Sequence, residues 1–483
     1  MPADLLTFPR WNSDHLGLPM PDDRDAVSSC LPLWEHNIAY EEGEAQVIDR
    51  LQAAYPRFCI HPDVRQLCSR LFPNGSGLPF VTKAAGQRAV EYVGHAGGTT
   101  AKLQPIEGQP CAGVSVDEDE FVLLKQYWQH SGELISSRMA RSILNNQPVT
   151  CAQTETRDIV RRRVGELHQV SEANVFLFSS GMGAISCAWR AISQISPHQP
   201  TCQFGFPYVD TLKIQERFPG ATHSFLPFGN SEDETKLEEL FYDHRFSAVF
   251  CETPTNPLLV LPDTKKLREI TLENNAVLVI DDTLRACSPQ SVLPDCDIVV
   301  TSLTKYFSGY GNVLAGALIL NPGSGHFTQL NRAIRNGFEE TLSDPDMQVL
   351  EQNSRDLENR VEKCVSNART LVDRLRQHPA VECVYYPGPV GHDDRGCGAL
   401  FSLVLKNAAE VTPHVFDHLR VSKGPNLGTN FTLCCPYTIL AHYTELEFAE
   451  HCGASRWLLR FSVGTEPVDD LWQRLTSALE LTE

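Results

Sequence analysis

Apolar positions in the middle of the chain follow two different spacings. Between Ile159 and Leu167 they recur every three or four residues, which predicts an amphipathic helix. Short continuous apolar runs follow, separated by segments of helical character. They lie at Val175–Phe178, 247–251, 276–280 and 297–301. Runs of this length that alternate with helices are typical of buried parallel strands, so an α/β sheet is predicted here.

The first quarter of the chain has another pattern. Residues 1 to about 125 are rich in proline and glycine, which interrupt regular elements. The stretches 73–80 (PNGSGLPF) and 94–102 (GHAGGTTAK) are predicted to be loops, and a helix is predicted over 45–54. This region is therefore expected to be an extended arm with a few helices.

The end of the chain again alternates helix and strand. Apolar positions from Leu350 to Leu375 fall on one broad face, which predicts a long amphipathic helix. Strands near 397–405 and 457–463 indicate a smaller α/β domain beyond it. The predicted division is an N-terminal arm and extension (1–145), an α/β domain (146–340) and a C-terminal α/β domain (341–483).

Composition narrows the class of protein. A chain of 483 residues is too long for one ordinary core and indicates two or three domains. The net charge is −19, from 41 Lys+Arg against 60 Asp+Glu, which disfavours a general binder of nucleic acid or anionic membranes. No apolar run approaches the length of a transmembrane helix. Arg161, Arg162 and Arg163 are interpreted as a solvated helix face rather than as a DNA-binding patch.

The N-terminal residues and the cysteines indicate the cellular compartment of the protein. MPADLLTFPRWNSDHLG has no basic segment followed by an apolar core, so no secretory signal is predicted. Sixteen cysteines without such a signal favour reduced thiols and a cytoplasmic protein. The cysteines lack zinc-site spacing, and no metal is expected.

Polar residues with distinct chemistry follow the apolar runs. Lys305 comes just after one run, and Asp281 ends another. Ser180-Gly181-Met182 connects a strand to a helix, where glycine permits a tight turn and the first amides of the helix face an anion. Because ligands bind at the carboxyl ends of strands in open α/β sheets, these groups are expected to meet in one site.

Together these groups match what pyridoxal 5′-phosphate (PLP) needs from a protein. The lysine can take its aldehyde, and the carboxylate can hold its pyridine nitrogen protonated. Tyr208 offers a ring for stacking, Asn256 a partner for the 3′-oxygen, and Ser302 and Thr304 hydroxyl donors for the phosphate. Each residue alone has a plain structural explanation, such as a surface lysine, a helix cap or a packing ring. The set predicts a PLP site.

The order of six motifs adds a resemblance to a known family. SSGMGAI, YVDT, ETPTNPLL, VIDDT, TSLTKYFSG and RFSVGTE resemble, in this order, the Cys/Met-metabolism PLP enzymes of fold type I. That family includes cystathionine γ-synthases, β- and γ-lyases and homoserine sulfhydrylases. Asp281 precedes Lys305 by 24 residues and follows Tyr208 by 73, which is similar to the family's spacing. AVSSCLPLW (26–34) and NLGTNFTLCCPYTILAHY (426–443) resemble the fungal cystathionine γ-synthase branch.

The resemblance implies a role for each matched residue. Lys305 would carry the cofactor as a Schiff base and shuttle protons, with Asp281 and Tyr208 as further catalytic residues. The implied cofactor-binding residues are Ser180, Gly181, Met182, Tyr208, Asn256, Asp281, Ser302, Thr304 and Lys305. Arg460 of RFSVGTE matches the arginine that binds the substrate carboxylate, a task that suits a guanidinium fork.

One departure from the family concerns the phosphate. The family's Tyr-Ser-Arg, which a neighbouring subunit supplies, is Ser136-Ser137-Arg138 here. Arg138 is expected to keep the role as a cofactor-binding residue. Tyr55 and Arg57 of AAYPRF are the alternative.

Three further departures concern the substrates. Asn426 replaces a common serine, Tyr310 follows the glycine of the lysine loop where His or Asp is frequent, and Phe431 stands where several lyases have Glu. All three are predicted to bind substrate. They favour a pocket suited less to zwitterionic cysteine and more to an uncharged or anionic nucleophile.

The resemblance also implies an architecture and a reaction. The fold would be aminotransferase-like, with a mainly parallel sheet in the large domain, in a homotetramer whose active sites are completed across a dimer interface. The reaction would be γ-replacement on an O-acyl-L-homoserine, by default the acetyl ester. L-Cysteine as nucleophile gives cystathionine. A carbon nucleophile such as a β-keto acid in fungal secondary metabolism, a β/γ-lyase and an inactive scaffold remain open.

Overall fold

The computed structural model describes residues 4–53, 55, 59–220, 222–288, 290–387 and 398–482. Within these residues the strands form a three-stranded, a seven-stranded and a five-stranded sheet. Among the helices of this part of the chain, none is both long enough and apolar enough to cross a bilayer.

The N-terminal region folds into a small sheet covered by helices. Its elements are α1 (Trp34–Glu41), α2 (Ala45–Ile48), α3 (Pro62–Leu71), β1 (Ser76–Phe80), α4 (Lys83–His95), β2 (Lys102–Pro105), β3 (Ala112–Val116), α5 (Phe121–Ser131) and α6 (Ser137–Leu144). Strand β3 lies between β1 and β2, antiparallel to both. The predicted helix over 45–54 is therefore shorter than expected.

The prediction of a loop over 73–80 is wrong, because most of that stretch is β1. Leu78 and Phe80 of this strand are buried. Gly77, which suggested a loop, allows close packing instead: a Cβ atom there would lie 2.8 Å from the ring of Phe72. Glycine and proline thus conceal the apolar character of this strand from a reading of the sequence.

The large sheet occupies the middle of the chain. Its elements are α7 (Glu155–Leu167), β4 (Val175–Phe178), α8 (Gly181–Ile195), β5 (Thr201–Phe204), α9 (Val209–Arg217), β6 (His223–Leu226), α10 (Ser231–Asp243), β7 (Ala248–Glu252), α11 (Thr264–Glu273), β8 (Val277–Asp281), β9 (Ile298–Thr301), β10 (Gly316–Leu320) and α12 (Phe327–Gly337). The strand order is β4-β10-β9-β8-β7-β5-β6, and only β10 is antiparallel to its neighbours. The four predicted strands are confirmed to within one residue.

The C-terminal region carries the third sheet. Its elements are α13 (Asp344–Asn353), α14 (Leu357–Leu375), β11 (Val381–Tyr385), β12 (Leu400–Leu405), α15 (Ala408–His418), β13 (Ser422–Lys423), β14 (Leu433–Pro436), α16 (Tyr437–His442), α17 (Leu446–His451), β15 (Leu459–Ser462) and α18 (Val468–Leu479). The strand order is β11-β12-β15-β14-β13.

The predicted single helix over 350–375 is two helices, which meet at a short turn. Arg163 of α7 holds this turn: its guanidinium donates to the backbone carbonyl of Glu351 and to the hydroxyl of Ser354, both at 2.8 Å. Arg163 also pairs with the Glu351 carboxylate, and Arg161 pairs with Glu340. Two of the three consecutive arginines therefore hold α7 against the following region, and only Arg162 belongs to a largely solvated face.

Buried Lys423 joins the N-terminal segment to the C-terminal sheet. Its ammonium donates to the carbonyl oxygens of Trp11 at 3.1 Å, Pro32 at 2.8 Å and Asp417 at 3.0 Å. Burial lowers the pKa of Lys423 to about 8. The cost of burying this cation is offset by its three hydrogen bonds to carbonyl oxygens.

Replacing Lys423 with methionine is expected to destabilise the protein by about 2–3 kcal/mol, because three carbonyl groups, of which that of Pro32 is buried, lose their donor. The urea midpoint of unfolding measures the effect. Lys406→Met, at an exposed position, is the matched control and is expected to change stability by less than about 0.5 kcal/mol. Equal midpoints for the two variants would show that the Lys423 contacts are not stabilising.

Candidate active site

A cavity lies where strands β7, β8 and β9 end, between the large sheet and the C-terminal sheet. The sequence-predicted residues that line it are Ser180, Gly181, Met182, Tyr208, Asn256, Asp281, Ser302, Thr304, Lys305 and Arg460, together with Tyr55. The carboxyl ends of parallel strands converge in such folds, which explains why residues far apart in sequence meet here.

Lys305 lies in the loop after β9 with its amine in a closed environment. Its side chain is buried, and Nζ donates to Asn426 Oδ1 at 2.6 Å and to the Tyr55 hydroxyl at 3.1 Å. Burial lowers the pKa of Lys305, while the neighbouring Tyr55 acts to raise it. A lowered pKa increases the fraction of neutral amine, the form that attacks an aldehyde or accepts a proton.

Asp281 is the last residue of β8 and provides a carboxylate on the cavity wall. Burial raises the pKa of Asp281 to about 6, although hydrogen bonding from Thr283 acts to lower it. A buried carboxylate of this kind gains stability when a positively charged N–H group binds beside it. The residue therefore fits a protonated pyridine nitrogen.

Glu252 is a second buried acid on this wall, and it was missed by the sequence analysis. It pairs in register with Asp281 on the adjacent strand. Burial raises the pKa of Glu252 well above its ordinary value. Its Oε2 accepts the backbone N–H of Tyr208 at 2.5 Å, which fixes the residue before α9. Like Asp281, Glu252 is an acid at the end of an apolar run, and this position was the signal that could have identified it.

The start of α8 forms a cradle for an anion. Ser180 caps the helix, accepting the Gly183 amide at 3.0 Å and donating to the Gly132 carbonyl at 2.7 Å. Gly181 is required by close approach, because a Cβ there would lie 2.8 Å from Ser302 Cβ. The first amides of a helix have no acceptor within it, so a phosphate is well suited to this end.

Thr304 lines the cavity but already holds the loop before Lys305 in place. Its hydroxyl donates to the Ala315 carbonyl at 3.2 Å and accepts the Ala315 amide at 2.9 Å. These bonds make Thr304 an anchor of the lysine loop in addition to its predicted phosphate role.

Arg460 of β15 presents a guanidinium to the cavity. It donates to Asn256 Oδ1 at 3.1 Å and to the Pro425 carbonyl at 2.8 Å, and it lies 4.6 Å from the ring centre of Tyr437. Across the described ranges, no carboxylate lies within ion-pair distance of it, although the residue is buried. A buried cation without an anionic partner fits the carboxylate of a substrate.

Three predicted residues lie outside the cavity. Arg138 pairs with Asp346 at 3.1 Å, and the Tyr310 hydroxyl donates to Asp356 at 2.7 Å. Phe431 is buried in a small apolar cluster with the N-terminal segment. The structure gives none of these side chains a contact with the cavity, so their predicted ligand roles stay predictions.

Of the remaining predicted residues, two contact Lys305 and one lies outside the described residues. Asn426 touches Lys305, and Tyr55 does so from the same chain. Arg57 lies outside the described residues.

The N-terminal region contributes more of the cavity than the predicted arm suggested. Gln129, Gly132 and Leu134 line it from the end of α5 and the segment that follows. Asp210 lines it from the first turn of α9. The only signal for Asp210 was its place in the YVDT motif, and spacing gave no signal for the other three.

Comparison with known proteins decides the family. The Cys/Met metabolism PLP-dependent enzyme family matches residues 149–480. A cystathionine γ-synthase of Neurospora crassa is 30% identical, over 97% of this chain and 98% of its own length. The chain belongs to the Cys/Met metabolism PLP-dependent enzyme family.

Two further proteins place the chain within this family. A cystathionine γ-synthase-like protein, ankD of Aspergillus thermomutatus, is 30% identical over 100% of the chain and 97% of its own length. The crystal structure of cystathionine γ-synthase from Xanthomonas oryzae pv. oryzae in complex with cystathionine has a TM-score of 0.60 and 25% identity, covering 68% of this chain and 86% of that one. The predicted cofactor and fold class are confirmed: this is a PLP-dependent enzyme of fold type I.

Proposed function

We propose that the enzyme catalyses γ-replacement on an O-acyl-L-homoserine, with the acetyl ester as the substrate to test first. O-Acetyl-L-homoserine and L-cysteine would give L-cystathionine and acetate. The observation that carries this proposal is buried Arg460, a cation for which the described residues supply no anionic partner, in the same cavity as Lys305 and the predicted PLP-binding residues. Similarity to proteins named cystathionine γ-synthase supports it.

Arg460, Asp281 and Lys305 would each have a separate role in the reaction. Arg460 would bind the α-carboxylate of the amino acid, and Asp281 would hold the proton on the pyridine nitrogen. PLP, when bound, draws electrons from the Cα of an amino acid joined to it. Lys305 Nζ takes the proton from Cα as general base, at an amine that Asn426 and Tyr55 hold in place.

Product formation needs one further proton loss and one bond exchange at Cγ. A proton leaves Cβ, the Cγ–O bond breaks, and the acyl group departs as the carboxylate. The cysteine thiol then releases its proton to solvent as its sulfur bonds to Cγ, and protons return to Cβ and Cα. Arg460 keeps the α-carboxylate fixed throughout, so the reacting carbon stays beside Lys305.

A carbon nucleophile such as a β-keto acid is the second candidate, and one observation favours it. The amide nitrogen of Asn426 is buried and has no hydrogen-bond partner among the described residues. An unpaired buried donor next to Lys305 is suited to a carbonyl or carboxylate oxygen. Tyr310 and Phe431 were expected to favour the same nucleophile, but neither lines the cavity.

We further propose a homo-oligomer, a dimer of dimers with active sites shared across the dimer interface, located in the cytoplasm. The support for this assembly is the family alone. Within one chain, Tyr55 already reaches Lys305.

The proposed reaction is tested by product analysis. PLP-loaded enzyme is incubated with O-acetyl-L-homoserine and, separately, with L-cysteine, with acetoacetate or with no nucleophile. We expect cystathionine by mass spectrometry with cysteine. A new carbon–carbon bond with acetoacetate and no thioether would establish the second candidate. Acetate release without any adduct would identify a lyase, and no acetate release would exclude this acyl donor.

A further inference from the structure

Two acids lie side by side on the cavity wall at the carboxyl ends of the central strands. Glu252 ends β7 and Asp281 ends β8, and the two residues pair in register across these parallel strands. Both line the cavity. Paired residues on neighbouring strands point to the same face of a sheet, and such strands lie about 4.8 Å apart. Two carboxyl groups in this arrangement repel each other strongly when both are charged.

The surroundings of Glu252 favour its neutral form. The residue is 4% exposed, and among the described residues no cation lies within ion-pair distance of it. One hydrogen bond reaches its carboxyl group from this part of the chain, from the Tyr208 amide to Oε2 at 2.5 Å. Burial raises the pKa of Glu252 well above its ordinary value, and Asp281 raises it further, although the Tyr208 amide and Arg460 act to lower it.

Asp281 has surroundings that favour the charged form. The amide of Thr283 donates to Asp281 Oδ1 at 3.0 Å, and hydrogen bonding from Thr283 acts to lower the pKa of this acid. In the PLP-loaded enzyme, a protonated pyridine nitrogen adds a positive partner. When the surroundings of two neighbouring acids differ in this way, one ionises and the other keeps its proton. Asp281 is thus the charged member of the pair and Glu252 the neutral one.

The other groups that face Glu252 do not reverse this assignment. Asp281 belongs to β8, Arg460 to β15, and Tyr208 lies at the start of α9. Strand β5, on the other side of β7, ends in the apolar side chain of Phe204. Arg460 is the cation among these groups, and it lies beyond ion-pair distance of the Glu252 carboxyl group. No described neighbour therefore supplies the close positive charge that an ionised Glu252 would need.

The hydrogen bond to Tyr208 needs an oxygen acceptor but no negative charge. Tyr208 lies immediately before α9 and lines the cavity, and its ring is predicted to stack on PLP. Glu252 is 44 residues away in sequence and ties this position to the end of β7. A protonated carboxyl group keeps acceptor capacity, as the side-chain amide of glutamine does. Neutral Glu252 can therefore hold the backbone of Tyr208.

We propose that Glu252 is a positioning residue that works as a neutral carboxylic acid, fixing Tyr208 for stacking on PLP while Asp281 carries the negative charge beside the pyridine nitrogen. Two adjacent acids of the site thus have opposite charge requirements. The inference rests on PLP binding in this cavity and does not depend on the acyl donor or the nucleophile. A failure of the proposed γ-replacement reaction would leave it standing.

Cofactor binding tests the proposal without turnover. Glu252→Gln keeps an oxygen acceptor and removes the ionisable group, whereas Glu252→Met has no comparable acceptor. We expect Glu252→Gln to bind PLP within about threefold of wild type and Glu252→Met to bind it about 10-fold more weakly, the effect of one lost hydrogen-bond acceptor. Fluorescence titration of each apoenzyme with PLP measures the affinities. Equal weakening in both variants would overturn the neutral-acid assignment, and wild-type affinity of Glu252→Met would overturn the positioning role.

Turnover separates the two acids of the pair. With O-acetyl-L-homoserine, kcat for acetate release by Glu252→Gln is expected to stay within about threefold of wild type, because no charge is lost. Asp281→Asn, the same acid-to-amide change on the next strand, is expected to lose about 10³-fold. A loss of similar size in Glu252→Gln would show that Glu252 acts as a carboxylate. A wild type that releases no acetate would contradict the proposed function instead, and the PLP titration would still decide the role of Glu252.

Unfolding of the PLP-free protein reports the charge of Glu252 directly. Because its pKa is raised in the folded state, the folded protein binds this proton more tightly than the unfolded chain does. The resulting stability is lost as the pH rises above the ordinary value of 4.5. Glu252→Gln does not undergo this loss. Its urea midpoint relative to wild type is therefore expected to be higher at about pH 8 than at about pH 5.

Glu351→Gln is the matched control for the unfolding experiment. Glu351 is also a buried glutamate but lies outside the cavity, where hydrogen bonds from Arg355 and Arg163 lower its pKa. Its ionised form stabilises the fold, so Glu351→Gln is expected to have a lower midpoint than wild type at about pH 8. If Glu252→Gln behaved like this control, Glu252 would be ionised in the folded protein and the inference would be wrong.

Discussion

Lys305→Ala is expected to abolish turnover and to remove the visible absorption of covalently bound PLP. The amine of Lys305 is the group that attaches the cofactor and the base that takes the Cα proton, so one substitution removes both functions. We expect kcat to fall by about 10⁴-fold or more. Acetate release and the absorption spectrum measure the two losses separately.

Exposed Lys406 provides the control for this experiment. Lys406→Ala is expected to retain both colour and activity. If borohydride reduction fixed PLP to the Lys305 variant so that the cofactor survived denaturation and dialysis, another lysine would carry the covalent link. A wild type that stays colourless after incubation with PLP would support the reading of an inactive scaffold.

Asp281→Asn is expected to impair catalysis far more than cofactor binding. The amides at the start of α8 and the ring of Tyr208 remain to hold PLP, but the neutral amide cannot stabilise a protonated pyridine nitrogen. Loss of charge stabilisation at the reacting centre is expected to lower kcat by about 10³-fold. Titration of the apoenzyme with PLP, beside steady-state kinetics, separates the two effects. Turnover close to wild type would show that Asp281 is not the pyridine partner.

The raised pKa of Asp281 predicts that the stability of the PLP-free protein depends on pH. Burial raises the pKa of Asp281 to about 6 from its ordinary value of 3.8. The folded state therefore binds the Asp281 proton more tightly than the unfolded state does, and this contribution to stability is lost as the pH rises from about 4 to about 6. The Asp281→Asn variant is expected not to lose this stability over the same pH range. Unfolding midpoints at the two pH values, for both proteins without PLP, measure the difference.

The strand ends were predictable from sequence because a single physical rule links pattern to position. Buried parallel strands are apolar throughout, so Lys305 and Asp281 stood out as the first polar groups after such runs. Their convergence follows from topology alone, without knowledge of side-chain packing.

The directions of other side chains were not predictable in this way. Tyr310 and Phe431 lie near Lys305 or Asn426 in sequence, yet one points to Asp356 and the other into an apolar cluster. Gln129 has no motif around it, and its place in the cavity depends on the packing of α5 against α9. Such tertiary contacts have no periodic signature in the chain.

The hydrogen bond between Lys423 and the N-terminal segment can form only after most of the chain has been synthesised. Trp11 leaves the ribosome 412 residues before Lys423, whose ammonium donates a hydrogen bond to the Trp11 carbonyl oxygen. At bacterial or eukaryotic rates of about 5–20 residues per second, that interval is about 20–80 seconds. During that interval the carbonyl oxygen of Trp11 lacks the ammonium group of Lys423. Slower translation of the codons between Trp11 and Lys423 would lengthen the period in which the nascent chain lacks this contact.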